Sequence, residues 1–466
     1  MRTRLLGQYV HLPFAVLTAV EALWFFAMFI IASMVRTQVD LAAFDAHVTY
    51  LWPRAVLFSL LMVVSLLAFG LYSTRQRARA GGVAVRIGIA IFVAVTALTC
   101  LFYLVPGLWT DRGILAFATA GALTGLALSR VVFSKVVDES LFKRRVLVYG
   151  CGRNASPISM LRRRSDRRGF TLVGFVQPAG EDCTVPPEQL LEPGARLSDT
   201  CAKYDIDEVV VAMDDRRRHF PILELLECRL AGTDITELLT FLERETGRVR
   251  IDVLNPSWMI FGEGFRRDTL RLFSARALDL IASSAILLVT WPLMLVTILA
   301  IKIEEGWRAP IFYAQPRVGL AGEVFNVLKF RSMRTDAEAG GKAIWAQKGD
   351  SRVTRVGAFI RKCRIDELPQ ILCVFRGHMS FVGPRPERPA FVAELSEKIP
   401  YYVQRHCVKP GITGWAQLCY PYGSSEQDAL EKLQYDLYYI KNNNLLFDLA
   451  ILLQTAEVVF MGQGAR

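Results

Sequence analysis

Four long apolar runs dominate the start of the chain, at residues 12–35, 56–72, 87–105 and 114–132. Each is close to the roughly 20 residues that a helix needs to cross a bilayer. Buried helices of soluble proteins usually carry a polar stripe, which these runs lack. The pattern therefore predicts four transmembrane helices within residues 1–135, in preference to four buried helices of a soluble protein. No small-residue cleavage site follows the first run, so a removed signal peptide is not expected.

Shorter apolar segments then alternate with helical patterns. A strand-like run at residues 146–149 leads into the turn Gly150-Cys151-Gly152-Arg153-Asn154-Ala155, and further strand-like runs occupy residues 170–178 and 206–215. This alternation predicts a Rossmann-like, doubly wound α/β domain over residues 145–255. The turn suits a pyrophosphate, but Gln177 stands where an NAD-binding domain places an acid for the ribose hydroxyls. We therefore favour a regulatory or structural nucleotide-type domain over a working redox site.

A fifth uncharged stretch, residues 281–301, carries Pro292 near its middle. A proline deletes one backbone hydrogen bond and costs about 3 kcal/mol or more in a straight helix. A sharp bend there, with Ser283, Ser284 and Thr290 available to the freed carbonyls, would let the segment enter the membrane and return to the same face. We expect a re-entrant helix over about 274–302. The alternative is a proline-kinked fifth helix that crosses the bilayer.

Charge distribution predicts the orientation of these segments. The basic residues that fall on one side if all four runs span are Arg2, Arg4, Arg75, Arg77, Arg79, Arg86, Arg130, Lys135, Lys143, Arg144 and Arg145. Only Arg36, Arg54 and Arg112 fall on the other side. Because cytoplasmic loops carry the excess of Lys and Arg, the N-terminus and everything after residue 135 should be cytoplasmic.

Composition narrows the class of protein. The chain has 466 residues, 52% of them hydrophobic, which indicates several domains including a membrane part. Its net charge of +11 would suit nucleic acid, anionic lipid or phosphorylated substrates, but Lys-rich low-complexity tails, typical of nucleic-acid binding, are absent. The nine cysteines form no close CxxC pair, so neither a zinc site nor a disulfide framework is indicated.

One acid pair lies among the basic motifs that follow the fifth apolar stretch. Lys329 and Arg331 alternate with apolar residues, which places both cations on one face of a strand. Asp366 and Glu367 lie just ahead of an apolar helix, whose positive N-terminal end should keep a carboxylate pKa low. Adjacent carboxylates repel, so both stay ionised only beside cations such as Arg361 or a Mg²⁺ ion shared with substrate phosphates. The alternative is a helix N-cap with salt bridges.

Two later segments add further candidates. The prolines of Gly383-Pro384-Arg385-Pro386 stiffen the backbone and hold Arg385 in a preset direction, which suits a bidentate grip on phosphate. Trp415 has an amphipathic ring suited to the membrane interface. The C-terminal run at residues 445–460 is interrupted by Asp448, which favours an interfacial or packed amphipathic helix over another span.

The chain resembles a known enzyme family at these motifs. The stretches KFRSM, RIDELPQ, MSFVGPRPERP and KPGITGWAQ, in this order after a re-entrant helix, are similar to the monotopic polyprenyl-phosphate phosphoglycosyl transferases. With the preceding helices and α/β module, the whole chain resembles the large bacterial members that serve exopolysaccharide and O-antigen synthesis. The resemblance implies a transferase domain over residues 270–466 with its active site on the cytoplasmic face of the inner membrane.

The resemblance also implies the reaction. A sugar 1-phosphate passes from a UDP-sugar to polyprenyl phosphate, usually undecaprenyl phosphate, with release of UMP. Asp366 matches the nucleophile, which forms a covalent aspartyl phosphosugar intermediate, and Glu367 matches the residue that helps to bind Mg²⁺. Membrane lipids are then partners and nucleic acid is not, and a homodimer is compatible with the family. The sugar cannot be read from the sequence.

Further site residues carry over position by position. Arg361 and Arg385 match arginines expected to contact the substrate phosphates or the nucleotide. Lys329 and Arg331 match the Lys-Phe-Arg strand beside the site, and Pro292 matches the proline that breaks the re-entrant helix.

Two positions depart from the family pattern, and two other functions compete. His378 stands where many relatives have Asp, and Cys373 where Asn is common, but neither change touches the acid pair. One competing function is an NAD-dependent sugar-nucleotide dehydratase or epimerase in the α/β module, which lacks a Tyr-x-x-x-Lys pair. The other is a non-enzymatic scaffold for polysaccharide assembly.

Overall fold

The computed structural model describes most of the chain in two compact units, Met1–Thr246 and Gly247–Arg466. The described residues are 2–5, 8–37, 41–69, 71–72, 80–105, 108–136, 143–161, 169–192, 194, 196–215, 220–254, 269–334, 352–420, 423 and 425–460. The basic residues Arg75, Arg77 and Arg79, which contribute to the predicted orientation, lie outside this part.

Four apolar helices follow a short antiparallel hairpin of β1 (Arg2–Leu5) and β2 (Gln8–His11). They are α1 (Leu12–Thr37), α2 (Leu41–Ala68), α3 (Ala80–Leu104) and α4 (Arg112–Val136). Within α1, α3 and α4 lie segments long and apolar enough to span a membrane, and α2 holds a shorter apolar segment, Leu51–Leu67. Outward-facing apolar side chains, such as Leu23 at 69% exposed and Phe92 at 71%, suit contact with lipid. The four predicted apolar helices are confirmed.

A buried acid joins two of these helices. Glu21 on α1 is 1% exposed and accepts a 2.7 Å hydrogen bond from the Ser129 hydroxyl on α4. Arg130, also on α4, pairs with Glu21 at 3.3 Å, and the Tyr72 hydroxyl donates to the same carboxylate. A charge among apolar helices is tolerated when it is paired and hydrogen-bonded. This network therefore fixes the register of α1 against α4.

A four-stranded parallel sheet forms the α/β module. The strands are β3 (Arg144–Tyr149), β4 (Phe170–Val176), β5 (Glu208–Val211) and β6 (Asp234–Glu237), in the order β4-β3-β5-β6. The helices are α5 (Ser156–Ser159), α6 (Leu197–Lys203), α7 (Ile222–Leu230) and α8 (Leu238–Thr246). Helix-covered parallel strands are buried on both faces, and Leu147 and Val209 are fully buried accordingly.

The second unit contains one long helix, α9 (Thr269–Glu305), of 37 residues with Pro292 inside it. A hairpin follows, with β7 (Phe312–Val318) antiparallel to β8 (Val324–Phe330). The α-helices and strands that the structure describes after this hairpin are α10 (Arg355–Lys362), α11 (Gln370–Arg376), β9 (Ser380–Val382), α12 (Pro389–Lys398), β10 (Gly411–Thr413), α13 (Trp415–Cys419), α14 (Glu426–Asn442) and α15 (Leu445–Phe460).

Both flanks of α9 bind the rest of this unit, while its middle is apolar and exposed. On the N-terminal flank, Arg276 donates to the carbonyls of Val374 and Phe375 at 2.8 and 2.7 Å, and the Asp279 carboxylate accepts from the amide of Phe381 at 2.9 Å. On the C-terminal flank, the Glu304 carboxylate accepts from the amides that begin α10. Between the flanks, Leu288, Val289 and Val296 are 75%, 76% and 60% exposed.

The hydroxyls near the proline are arranged differently from the prediction. Pro292 leaves the carbonyl of Leu288 without its helical donor. The Thr290 hydroxyl donates instead to the carbonyl of Ile286 at 2.7 Å. The Ser283 hydroxyl is buried without a hydrogen-bond partner among the described residues. Neither of these two hydroxyls therefore donates a hydrogen bond to the carbonyl that the proline leaves free.

Trp415 belongs to the core of this unit, so its predicted place at the membrane interface is wrong. The residue is 7% exposed, and its indole nitrogen donates to the carbonyl of Gly247 at 2.7 Å. Its ring meets that of Phe447, on α15, edge to face. Asp448 is also buried and accepts from the Tyr439 hydroxyl at 2.8 Å, so α15 is a packed helix.

Three glycines let two of the sequence motifs touch backbone to backbone. A Cβ atom on Gly383 would lie 2.3 Å from the carbonyl oxygen of Lys409, and one on Gly411 would lie 2.1 Å from the amide nitrogen of Gly383. A Cβ atom on Gly414 would lie 2.2 Å from the carbonyl of Gly383. Because these neighbours are backbone atoms, no rotamer change can make room. The glycines therefore join β9 and β10 and hold the segment that follows β9.

We expect Gly411→Ala to lower the thermal unfolding midpoint of the purified protein in detergent. The added methyl group must push two backbone segments apart, and overpacking of this kind costs about 1–3 kcal/mol. Gly88→Ala, in α3, is the control, because a Cβ atom there has no neighbour within 4 Å and alanine favours a helix. A Gly411→Ala protein that melts like the parent would contradict the close approach.

Candidate active site

The acid pair lies in a short turn between two helices. Helix α10 begins at the Thr354 side chain, which accepts a hydrogen bond from the amide of Gly357 at 2.9 Å, and ends before Arg364, which has a left-handed backbone (φ 55°). A 3-10 turn, Ile365–Glu367, then carries both carboxylates. Pro369 occupies the cap position of α11, and none of the described side chains caps that helix. Neither acid therefore occupies the N-cap position of α11, although Glu367 does form the salt bridges of that alternative interpretation.

Glu367 is held in its ionised form by cations. Lys329, near the end of β8, reaches its carboxylate at 3.2 Å, and Arg364 lies 3.8 Å from the other carboxylate oxygen. Burial alone would raise the pKa of Glu367, but the charges of Lys329 and Arg385 and the Lys329 hydrogen bond outweigh it. The pKa of Glu367 is consequently lowered from its ordinary value.

The pKa of Asp366 shifts in the opposite direction, above its ordinary value. Burial first, and then the negative charge of Glu367, raise its pKa, while the positive charges of Lys329 and Arg361 oppose them without cancelling them. The prediction that the following helix would keep this pKa low is therefore wrong for Asp366. The physical reason is that desolvation and a like charge on the adjacent residue exceed the effect of a helix end. Asp366 is left short of positive charge.

This charge deficit fits a divalent cation. Within the part of the chain that the structure describes, no group of three or more His, Cys, Asp or Glu could hold a metal ion. Mg²⁺ does not need such a group, because it commonly binds one or two carboxylates together with substrate phosphates and water. Asp366 and Glu367 are therefore compatible with a Mg²⁺ ion whose coordination is completed by substrate phosphates and water.

The four basic residues predicted for the site differ in how they interact with the acid pair. Arg361 and Arg385 act electrostatically on Asp366 and Glu367, respectively, and Lys329 contacts Glu367 directly. Arg331 lies just beyond β8, and its Nε atom donates to the carbonyl of Pro310 at 3.1 Å. Lys329 thus contacts the acid pair, whereas the Arg331 side chain bonds a backbone carbonyl.

Sequence reasoning missed a buried charged pair next to the site. Arg405 and Asp436 are 6% and 2% exposed, and the Arg405 Nη2 atom lies 2.9 Å from the carboxylate. The same atom donates to the carbonyl of Arg385 at 3.0 Å. The two charges are far apart in sequence and neither lies in a recognisable pattern, so only the fold brings them together.

The glycine-rich turn of the α/β module is occupied by the protein's own acids. Asp214 follows β5, and its carboxylate accepts from the amides of Arg153 and Asn154 at 2.9 and 2.7 Å. Glu181 accepts from the amide of Cys151 at 3.3 Å and from that of Asp214 at 2.9 Å. These are amides that a pyrophosphate would require. Because these amides are already hydrogen-bonded to acids of the protein, the turn disfavours the NAD-dependent alternative.

The part of the chain that carries the acid pair matches a known protein family. A family model described as bacterial sugar transferase matches residues 270–462, which include the acid pair. One relative is the UDP-N-acetylgalactosamine-undecaprenyl-phosphate N-acetylgalactosaminephosphotransferase of Aeromonas hydrophila, 41% identical over 242 residues. That match covers 52% of this chain and 56% of the relative, so it spans just over half of that protein.

Two further relatives extend the comparison. A UDP-glucose:undecaprenyl-phosphate glucose-1-phosphate transferase of Caulobacter vibrioides is 42% identical over 182 residues, which cover 39% of this chain and 67% of the relative. A protein of the same name from Xanthomonas campestris pv. campestris is 29% identical over 447 residues, covering 88% of this chain and 87% of the relative. Similarity to the Xanthomonas protein thus extends over most of the chain.

We expect Asp366→Asn and Glu367→Gln to change stability in opposite directions. With the pKa of Glu367 below its ordinary 4.5, the ionised carboxylate stabilises the fold above pH 4.5, and this contribution is lost as the pH falls through the lower folded value. With the pKa of Asp366 above its ordinary 3.8, the stabilising contribution is present below pH 3.8 and is lost as the pH rises through the folded value.

At pH 8 in EDTA and detergent, Asp366→Asn should therefore raise the unfolding midpoint and Glu367→Gln should lower it. Both differences from the parent protein should shrink as the pH is lowered toward 4. Each variant is the matched control of the other, since the two residues are adjacent. Shifts of the same sign at pH 8 would contradict the opposed pKa values.

Proposed function

The chain belongs to the bacterial sugar transferases, the polyprenyl-phosphate phosphoglycosyl transferases, and we propose that it transfers a sugar 1-phosphate from a UDP-sugar to undecaprenyl phosphate. The observation that carries the proposal is the acid pair inside the matched domain, with Lys329 on Glu367 and an under-compensated Asp366 beside it. Basic residues around the acid pair suit the binding of a diphosphate substrate. The names of the relatives include both glucose and N-acetylgalactosamine, so the proposal covers UDP-hexoses as a class.

Asp366 is the proposed nucleophile. Its carboxylate oxygen attacks the sugar-bearing phosphorus of the UDP-sugar, a phosphorus–oxygen bond breaks, and UMP leaves with the bonding electrons. A phosphate oxygen of undecaprenyl phosphate then attacks the same phosphorus and displaces the Asp366 carboxylate, giving undecaprenyl diphosphate sugar. Glu367, held ionised by Lys329, keeps a fixed negative charge beside it.

Mg²⁺ is proposed as the cofactor, with Asp366 and Glu367 as its candidate protein ligands. When bound, the ion would neutralise charge on the diphosphate and on the departing nucleotide. Arg361 and Arg385 would bind the phosphate oxygens that the acid pair repels, and they would orient the phosphorus toward Asp366.

We infer that α9 is re-entrant and that the site faces the cytoplasm. A straight α-helix rises about 1.5 Å per residue, which would put Arg276 and Glu304 about 42 Å apart. Their partners, however, belong to α10 and α11, two short helices separated only by the turn that carries the acid pair. A bend at Pro292 would bring the two flanks to one face and leave the exposed apolar middle in the membrane.

The module at residues 145–255 is proposed to be Rossmann-like in fold and structural in role. Its strand order reverses between β3 and β5, as at the switch point of a doubly wound sheet. In the crevice at that point, Asp214 and Glu181 accept hydrogen bonds from the amides of the turn.

The inner membrane of a bacterium is the proposed location of the protein, since undecaprenyl phosphate is the proposed acceptor.

UMP release from UDP-sugars tests the transferase directly. In membranes that contain the protein, one or more sugars of a UDP-sugar panel should give UMP in the presence of Mg²⁺ and undecaprenyl phosphate. Asp366→Asn should reduce release to the background of membranes without the protein, because the amide is not a nucleophile for this step. Coupled enzymatic detection of UMP provides the measurement.

Glu394→Gln is the control for this experiment. Glu394 forms an exposed pair with Lys398 on α12, and loss of one surface pair changes stability by no more than about 1 kcal/mol. Its activity should equal that of the parent protein. Full UMP release by the Asp366→Asn protein would exclude the proposed nucleophile.

Thiol labelling tests the re-entrant topology. Cys363, three residues before Asp366, and Cys183, in the α/β module, are both exposed. With a membrane-impermeant maleimide and peptide mapping by mass spectrometry, both should be labelled in inverted vesicles and protected in intact spheroplasts. A helix that returns to its starting face keeps both cysteines in the cytoplasm.

Cys183 serves as the internal control, because a re-entrant and a crossing α9 place it on the same side. A crossing helix would expose Cys363, but not Cys183, in spheroplasts. Labelling of that kind would reject the re-entrant arrangement.

A further inference from the structure

The segment Pro384-Arg385-Pro386-Glu387 is held almost entirely through its carbonyl oxygens. Its two prolines have no N–H group to donate. Each of the four successive carbonyls instead accepts a hydrogen bond from a different group: Gly411 N at 2.9 Å, Arg405 Nη2 at 3.0 Å, Arg317 Nη1 at 3.0 Å and Val318 N at 3.0 Å, in chain order. Two of these donors are arginine side chains, and both are supported by further bonds.

Arg405 is the more deeply buried of the two. Its side chain is 7% exposed and that of Asp436 is 3% exposed, with 2.9 Å between Nη2 and the carboxylate. The Nη1 atom donates to the Tyr402 hydroxyl at 2.6 Å. One guanidinium thus bonds a carboxylate, a phenol and the carbonyl of Arg385 at once. Arg317 is less buried and bonds the Gln315 amide oxygen at 2.7 Å as well as the carbonyl of Pro386.

The side chain of Arg385 itself is exposed and acts on Glu367. Its backbone is therefore fixed from the protein side while its guanidinium is free to meet a ligand. A flexible surface arginine would lose rotational freedom each time it bound a diphosphate. A backbone fixed in advance removes part of that cost.

We propose that Arg405, held by Asp436, is a positioning residue that sets the backbone of Arg385 and so aims its guanidinium at the diphosphate beside Asp366 and Glu367. Arg317 is a second, independent brace on the neighbouring carbonyl. The proposal rests on the transferase function proposed above. It assigns to a buried ion pair a role in substrate geometry in addition to any role in folding.

A double-mutant cycle tests the proposal. Arg405→Lys keeps the charge opposite Asp436 but loses the fork that bonds three partners. We expect UDP-sugar-dependent UMP release to fall in kcat/KM by about 10- to 100-fold, as for a misplaced binding group, with most of the change in the KM for UDP-sugar. In an Arg385→Ala background, the same Arg405→Lys change should cost less than about twofold, because a residue that acts only through Arg385 has nothing left to position.

Lys398→Gln, which removes an exposed charge on α12, is the control and should have no effect in either background. An equal loss from Arg405→Lys with and without Arg385 would overturn the proposal, as would full activity of the single variant. The unfolding midpoint of each variant is measured alongside. If Arg405→Lys prevents folding, the cycle of Arg317→Lys with Arg385→Ala decides, with the same expected and contrary results.

These outcomes separate the brace from the reaction. If Asp366→Asn retains UMP release, the proposed function fails. If Asp366→Asn is inactive while the losses from Arg405→Lys and Arg385→Ala multiply, only the brace fails.

Discussion

The cations around two adjacent carboxylates compensate them unequally, and this electrostatic conflict lies at the centre of the candidate active site. Lys329 is close enough to stabilise Glu367 directly, which leaves Asp366 with burial and a negative neighbour. The protein resolves only half of the conflict with its own side chains. A substrate that brings phosphates and a divalent ion would resolve the other half, so in the proposed reaction the charge deficit at Asp366 would favour substrate binding.

The surrounding fold holds this pair in a turn between two short helices of the second unit. Strand β8 presents Lys329, the left-handed residue Arg364 turns the chain from α10 into the acid pair, and α9 contacts both neighbouring helices. The glycines at positions 383, 411 and 414 bring the backbone of β9 and β10 together, which fixes the start of the segment that carries Arg385. Motifs far apart in sequence thus converge through backbone contacts that tolerate no side chain.

Much of this arrangement was predictable because it depends on local patterns. Apolar runs gave the four N-terminal helices, alternation gave the face of Lys329, and the Asp366-Glu367 pair was found from its charge context. Three features depended on tertiary contacts that no local pattern encodes. Trp415 looked like an interfacial ring but donates to a buried carbonyl, the Arg331 side chain bonds the carbonyl of Pro310, and Arg405 meets Asp436 only in the folded protein.

The acids bound in the glycine-rich turn of the α/β module affect whether a nucleotide could bind there. Asp214 and Glu181 are tethered to the amides that they bind, so they act as intramolecular competitors whose effective concentration is on the order of millimolar or above. A free nucleotide would have to displace both carboxylates from the amides. Its phosphates would also be repelled by the two negative charges in the same crevice. These intramolecular bonds therefore disfavour a nucleotide in the crevice, even though the enzyme attached to the module is proposed to consume a nucleotide sugar.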